Sequence, residues 1–317
     1  MRTDPDRFAV FILTHGRADN VVTFPMLRKH GYFGRVFFVV DNEDADLDRY
    51  VENFGRERVL AFDKKAYAER ADVGNNFDDR RVVVHARNAA FDLAVSIGVT
   101  HFVALDDDYL AFKFRYLDGH RLIRDLDRVF ATLLEFFEAT PTKAIAISQG
   151  GDHIGGFSGV RLSRKCMNLW LCSTARRFPF LGWINEDVTT TIRRAELGDL
   201  FFTYTGLQLD QTQTQKQKGG LSTVYLERGT YVKSFSSVVY SPSSVSVSML
   251  RGQKLRRIHH AVAWRYAVPK IVPARVVKKN GPNFGGAQEN GAHPEDARRK
   301  EDTAAVPGES IAGRGER

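Results

Sequence analysis

The stretch His101-Phe102-Val103-Ala104-Leu105-Asp106-Asp107-Asp108 decides how the rest of the chain reads. An apolar run of strand length ends on three consecutive carboxylates. A short acidic run is often a helix cap or a solvated turn. Directly after a buried strand, however, three like charges side by side are costly unless something positive sits among them. A hard divalent cation, Mg²⁺ or Mn²⁺, carrying a phosphate is the occupant that oxygen ligands suit best. Alternation along an extended chain puts Asp106 and Asp108 on one side and Asp107 on the other. Asp106 and Asp108 are therefore the first candidates for the cation and its phosphate, with Asp107 second.

Two flanking segments extend this pattern. Upstream, Ala86-Arg87-Asn88-Ala89-Ala90 lies in an amphipathic helix predicted over 80–97, with Val83, Arg87, Ala90, Phe91 and Ala94 near one stripe. An Arg on such a helix is ordinarily a surface or ion-pair residue. Its position just before the acidic strand favours a phosphate clamp, since Arg offers bidentate hydrogen bonds that Lys does not. Downstream, Asn185-Glu186-Asp187 opens a helix predicted over 186–198. Acidic residues in a first turn also suit the helix dipole. The functional alternative is a general base, Asp187 or Glu186. Trp183 offers either a flat face for an acceptor ring or a core side chain. Acidic ligands, a cationic clamp and a separate carboxylate together describe an enzyme that uses a nucleotide-activated donor.

Apolar runs at Phe8–Leu13, Val36–Val40 and Arg58–Phe62 read as strands, alternating with helices after Asp19, which is a candidate cap, and over 43–54. Residues 63–79 read as a loop, Leu110–Tyr116 as a strand, 120–138 as a helix and Lys143–Ser148 as a strand. Gln149–Gly159, with five glycines, and the Gln/Thr-rich Gln208–Gly220 read as mobile loops. Strand–helix alternation predicts an α/β fold with a mostly parallel, doubly wound sheet. Ligands bind such sheets beyond the carboxyl ends of the strands. Thr14, Asp41 and Asp106 each follow a strand, so all three belong at one rim; in a nucleotide site there Asp41 would accept from a base or ribose, and Thr14 and Arg17 would flank the base. One domain is expected over 1–279, comprising a nucleotide-binding half (1–110), an acceptor half (111–250) and a basic segment (251–279). A disordered tail is expected over 280–317.

Charge divides the chain. Residues 1–150 hold 21 Lys+Arg against 24 Asp+Glu, and residues 151–317 hold 25 against 14. Between Arg251 and Lys279 nine basic residues occur with no acidic one. Such a stretch suggests either a polyanionic partner or a solubilising face. The two cysteines, Cys166 and Cys172, give neither a disulfide framework nor zinc spacing, which points to a reducing, cytoplasmic compartment. The polar start Met1-Arg2-Thr3-Asp4 is unlike a secretory signal, and no apolar run approaches the ~20 residues of a membrane span, so no membrane partner is expected. His153, in the glycine loop, could touch the acceptor or a phosphate, although an exposed or structural histidine is the commoner case. His259 and His260 follow Arg256-Arg257 and could approach the site from the far side.

The pattern Ala86-Arg87-Asn88, Asp106-Asp107-Asp108 and Asn185-Glu186-Asp187 resembles that of GT-A glycosyltransferases, in particular the inverting family 2. More narrowly, Val10–Arg17, Phe38–Asp44 and Leu105–Tyr109 resemble segments of the phage TET-associated glycosyltransferases. The resemblance covers roughly the first two-thirds of the chain and implies a GT-A-like (Rossmann-type) sheet flanked by helices, with a basic C-terminal extension. It also implies sugar transfer from a UDP-sugar to 5-hydroxymethylcytosine in double-stranded phage DNA, in the infected host's cytoplasm. By carry-over, Asp106 and Asp108 would bind the metal and diphosphate, Arg87 and Asn88 would assist, Asp41 would hold the uridine and Asp187 would be the base. Three aspartates in place of one Asp-x-Asp leave the ligand pair open. Lys254, Arg256, Arg257, Arg265 and Lys270 are the candidate DNA contacts, and Trp183 or Phe180 a candidate stacking residue should the base be flipped. The rival readings are a GT-A enzyme with a polysaccharide or protein acceptor, and a non-catalytic DNA-binding protein on a degenerate scaffold.

Overall fold

The structure, a computed structural model, describes residues 2–74, 79–116, 119–150, 159–161, 163–212, 224, 227, 229, 231–251 and 256–268. They lie within one compact unit, Met1–Lys270. The expected disordered tail, 280–317, is outside the described residues.

The fold is α/β. Strands β1 (Phe8–Leu13), β2 (Val36–Asp41), β3 (Val59–Phe62) and β4 (His101–Asp106) are mutually parallel in the order β3-β2-β1-β4. Between them run α1 (Thr23–Lys29), α2 (Leu47–Phe54), α3 (Lys64–Ala68) and α4 (Val84–Ser96). The sheet continues through β9 (Trp170–Ser173), β7 (Ala144–Gln149), β10 (Phe201–Gln211), β5 (Tyr109–Tyr116) and β6 (Gly119–Leu122), with β8 (Val160–Arg161) also paired to β10. β9 is antiparallel to both β4 and β7, which restores β7 and β10 to the direction of β4. Helices α5 (Leu126–Glu138) and α6 (Glu186–Glu196) complete this body. Beyond it come α7 (Tyr231–Tyr240), a hairpin of β11 (Val245–Arg251) and β12 (Arg256–Val262), and a single turn, α8 (Trp264–Ala267).

Strand alternation divides the core into two layers. Phe8, Val10 and Ile12 of β1 join Leu27, Tyr50, Leu126 and Phe130 on one face. Ala9, Phe11 and Leu13 join Ala90, Phe91 and Ala94 of α4 on the other. In the parallel register Leu13 pairs with Asp106 and with Val39, so Thr14, Asp41 and Asp106 share a rim. No described helix is long and apolar enough to cross a membrane.

Four local expectations are corrected. Asp19 does not cap α1; the cap is Val22, and Asp19 instead accepts from Arg49 and Asn53. Residues 63–79 are not wholly loop, because the Asp63 side chain accepts from Ala66 N and caps α3. The 120–138 helix begins only at Leu126, capped by Asp125, since β6 occupies the preceding residues. Gln208–Gln211 belong to β10, where pairing with β5 and β7 outweighs their polarity.

Candidate active site

The rim is organised by the acidic triplet, whose members have different environments. Its backbone is clamped by Thr23 at the start of α1: Thr23 Oγ1 donates to Asp106 O at 2.6 Å, Thr23 N donates to Asp107 O at 3.0 Å, and Tyr109 N donates back to Thr23 Oγ1. Asp107 is buried and turned toward the β1 turn, accepting from Thr14 Oγ1 at 2.7 Å and from Arg17 Nη1 at 2.6 Å. Burial raises its carboxyl, with Arg17 and Thr14 acting against that. Tyr50 OH lies 2.8 Å from Thr14 Oγ1 and accepts from Arg17 N at 2.9 Å. Thr14, Arg17 and Asp107 therefore hold the turn together.

Asp106 is partly exposed and accepts from Arg87 Nη2 at 3.2 Å. Asp108 differs from both neighbours: its buried Oδ1 has no hydrogen-bond partner among the described residues. Burial, then Asp106 and Asp107, push its carboxyl up to about 7. Its backbone carbonyl accepts from Thr212 N at 3.1 Å, which fixes the end of β10 against the triplet.

Arg87 is buried on α4 and spans two elements, with Nε donating to Glu186 Oε1 at 3.2 Å and Nη2 to Asp106. Its Nη1 has no partner among the described residues. Burial pushes Glu186 up to about 6, Arg87 opposes that, and Asp187 and Asp106 add to it. Asp187 is less buried than Glu186, and its Oδ1 accepts from Val188 N at 2.8 Å in the first turn of α6. That turn is set by Asn185 in the left-handed region (φ 62°), whose Nδ2 donates to Ser237 Oγ of α7 at 2.6 Å. His260 of β12 lies 3.5 Å from the same Nδ2 and is pushed down to about 3 by burial, with His259 adding to the effect. Among the described residues no three His, Cys, Asp or Glu side chains form a ready-made metal cage.

At the end of β2, Asp41 is buried between His15 Nδ1 (2.7 Å) and Lys64 Nζ (3.3 Å). Burial alone would raise it; the His15 bond and charge, with Lys64, hold it below the ordinary carboxylate range. His15, 40% exposed, is raised by Asp41 against the effect of burial.

Residues 8–220, more than half of the chain, match the family described as TET-Associated Glycosyltransferase. The chain belongs to that family. No curated protein sequence matches it. Among solved structures it is similar to glucosyl-3-phosphoglycerate synthase from Mycobacterium tuberculosis in complex with Mg²⁺ and uridine-diphosphate. The identity there is 12%, covering 81% of this chain and 87% of that one, with a TM-score of 0.42. It is also similar to GalNAc-T7 with UDP, GalNAc and Mn²⁺, at 11% identity, 65% and 43% coverage and a TM-score of 0.41. The resemblance carried by Val10–Arg17, Phe38–Asp44 and Leu105–Tyr109 is borne out, and the chain is a glycosyltransferase of the TET-associated family.

Several site expectations for this glycosyltransferase are corrected. Asn88 does not face the rim: its amide exchanges two hydrogen bonds with the Phe180 backbone (3.1 and 2.8 Å) and anchors the segment before α6. Trp183 and Phe180 are buried in the core layer beneath α4, so neither is exposed to stack on an acceptor. Arg265 lies in a cleft of about 500 Å³ with Glu196, Leu197, Gly198 and Tyr266. That is the far end of α6 from Asp187, roughly 14 Å along the helix. His153, Lys254 and Lys270 lie outside the described residues, and Arg256 and Arg257 are described only by their backbone in β12. Sequence reading missed Thr23, Tyr50, Lys64 and Asn185. His15, which bonds Asp41, is a further one, and its place beside Thr14 on a strand-end turn is the signal that could have found it.

Proposed function

We propose that the chain transfers a sugar from a UDP-sugar to the hydroxyl of 5-hydroxymethylcytosine in double-stranded DNA, aided by Mn²⁺ or Mg²⁺. The observation that carries this reading is the division within the triplet. Asp107 is spent on Thr14 and Arg17, Asp106 is shared with Arg87, and Asp108 keeps a buried oxygen without a partner among the described residues. This donor set fits a small hard cation, which takes one or two protein carboxylates and completes its shell with phosphate oxygens and water. Asp106 and Asp108 would hold it, and when bound it would neutralise charge on the departing diphosphate.

This chain's own residues supply the rest. Arg87 keeps Asp106 and Glu186 in place and adds fixed positive charge to the rim. Glu186 is committed to Arg87, which favours Asp187 as the base. Asp187 takes the proton of the acceptor hydroxyl while that oxygen attacks the anomeric carbon. The bond from that carbon to the diphosphate oxygen breaks as the new one forms. Attack opposite the leaving group inverts the anomeric centre. His15, Asp41 and Lys64 offer polar groups for the uridine. Family membership and the basic second half support a DNA acceptor in the cytoplasm of a phage-infected cell, with the hydroxymethyl group made by a TET-type oxygenase.

The test is mass spectrometry of nucleosides after incubating hydroxymethylated and plain duplex DNA with a panel of sugar nucleotides and Mn²⁺. A hexose mass is expected on 5-hydroxymethylcytosine alone and with UDP-sugars alone. Transfer to a free glycan or peptide, with none to DNA, would reject the acceptor.

A further inference from the structure

Resting on the sugar-transfer reading above, we infer that Asn168 determines donor specificity: its side-chain amide bonds a hydroxyl of the sugar being transferred. Asn168 stands just before β9. The register of β9 against β4 ends with Ala104 opposite Trp170. Two residues further toward the rim on each chain are Asp106 and Asn168, which brings Asn168 to the level of the acidic triplet. Tyr109, the first residue of β5, donates its OH to Asn168 O and ties it there. On the other side Cys166 N donates to Thr191 Oγ1 at 3.1 Å, and the same hydroxyl donates to Asp187 O at 2.8 Å. The segment 166–168 therefore runs from the turn that presents Asp187 to the rim beside Asp106.

Two features of Asn168 cost stability. It is buried, at 7% exposure, yet its Nδ2 donor has no partner among the described residues. A buried donor left unpaired is unfavourable, and most such groups in folded proteins are bonded. Its backbone is also left-handed, at φ 69°. Among the described residues only Asn185, at 62°, shares that conformation without being glycine, and Asn185 opens the Asp187 turn. Asparagine tolerates this region better than most residues do, but backbone held there gathers at ligand sites. An orphaned donor and a strained backbone at one rim position fit a side chain kept in place for a ligand.

Location and chemistry select the ligand group. In the proposed reaction the anomeric carbon lies between the diphosphate at Asp106 and the hydroxyl that Asp187 deprotonates. A residue on the segment joining those two places lies alongside the sugar. An amide is neutral and, turned either way, offers a donor and an acceptor in one plane. A hydroxyl is likewise donor and acceptor, so the two pair fully. A phosphate only accepts, and it gains more from a charged donor such as Arg87. A site that hydrogen-bonds a substrate hydroxyl rejects the analogue lacking it, because the site's own buried group is then left unpaired.

The experiment sets the side chain against each hydroxyl in turn. The full chain and Asn168→Gly receive hydroxymethylated duplex DNA, Mn²⁺, the UDP-hexose that wild type transfers best, and its monodeoxy analogues, each lacking one hydroxyl. Glycine takes a positive φ freely, so the variant deletes the amide and spares the backbone. Wild type is expected to lose kcat/KM with the analogues. For one hydroxyl that loss should shrink about tenfold or more in Asn168→Gly, and for the others it should stay the same. Each comparison is made within one protein, so a smaller folded fraction cancels. Affinity for UDP alone, by calorimetry, should match wild type. A variant in which no hydroxyl's loss shrinks would overturn the inference and leave the proposed function standing. An unchanged pattern with a raised KM for DNA would assign Asn168 to the acceptor, and one with weakened UDP binding would assign it to the diphosphate; either overturns the inference. Wild type that transfers no sugar from any sugar nucleotide would overturn the sugar-transfer reading, and the inference with it.

Discussion

Replacing Asp108 with asparagine separates charge from shape at the rim. The Asp108 carboxyl is pushed from its ordinary 3.8 up to about 7 by burial and by Asp106 and Asp107. A folded value above the unfolded one means that the native state binds more protons in that interval. The contribution to stability is therefore complete below about pH 4 and is lost as pH rises through 7. Roughly three units at ~1.4 kcal/mol each gives about 4 kcal/mol. The side chain is only partly buried, and solvent screening brings this to about 2 kcal/mol. Asp108→Asn removes the ionisation and keeps the size. Cation-free protein at pH 8 should then be more stable than wild type by about 2 kcal/mol, or about 3–4 °C in Tm for a chain of this size. At pH 4 the two melts should coincide. Circular-dichroism melts in EDTA from pH 4 to 9 measure both. Adding Mn²⁺ and UDP at a hundredfold over Kd should stabilise wild type by about 2.7 kcal/mol and the variant far less. A variant no more stable than wild type at pH 8 without cation would refute the reasoning.

The other expectations concern the residues around the triplet. Asp187→Asn should slow single-turnover transfer by about 10²–10⁴-fold and leave UDP affinity by calorimetry nearly unchanged; unaltered turnover would discard Asp187 as the base. Arg87→Met should cost about 3–5 kcal/mol in urea unfolding, because Glu186 and Asp106 lose the buried cation they share. Tyr50→Phe should cost about 1–3 kcal/mol, since Arg17 N loses its acceptor and Thr14 a neighbour. Trp183→Phe should lower stability by about 1–3 kcal/mol and spare transfer, as expected of a core residue.

What the sequence made legible follows from how each element is stabilised. β1, β2 and β4 are apolar runs of strand length, so burial alone specifies them and their parallel register fixes the rim. Trp170–Ser173 is only four residues long and exists as a strand because β4 and β7 flank it, a tertiary condition with no local signature. Alternation set Asp107 apart from its two neighbours, and Asp107 alone of the three bonds Thr14 and Arg17. It could not foresee that Thr14 and Arg17, placed at the right rim, would be consumed by Asp107. Asn88 was misread for a related reason. Its position beside Arg87 suggested a shared task, yet one residue along a helix turns the side chain by about 100°, toward the Phe180 backbone.

Two unpaired groups at the rim constrain the ligand more tightly than the acidic triplet does. Arg87 Nη1 is a buried donor without a partner among the described residues, and Asp108 Oδ1 is a buried acceptor in the same condition. Each costs free energy while it stays unpaired. Both flank Asp106, since Arg87 bonds it directly and Asp108 lies two residues further along the chain. A lone cation would relieve Asp108 and add repulsion at Arg87. A lone phosphate would relieve Arg87 and add repulsion at Asp108. A cation bound to a diphosphate presents the positive charge one group lacks and the oxygens the other lacks. On electrostatic grounds the donor proposed above, its diphosphate carried by a cation, would suit these two groups better than either component alone.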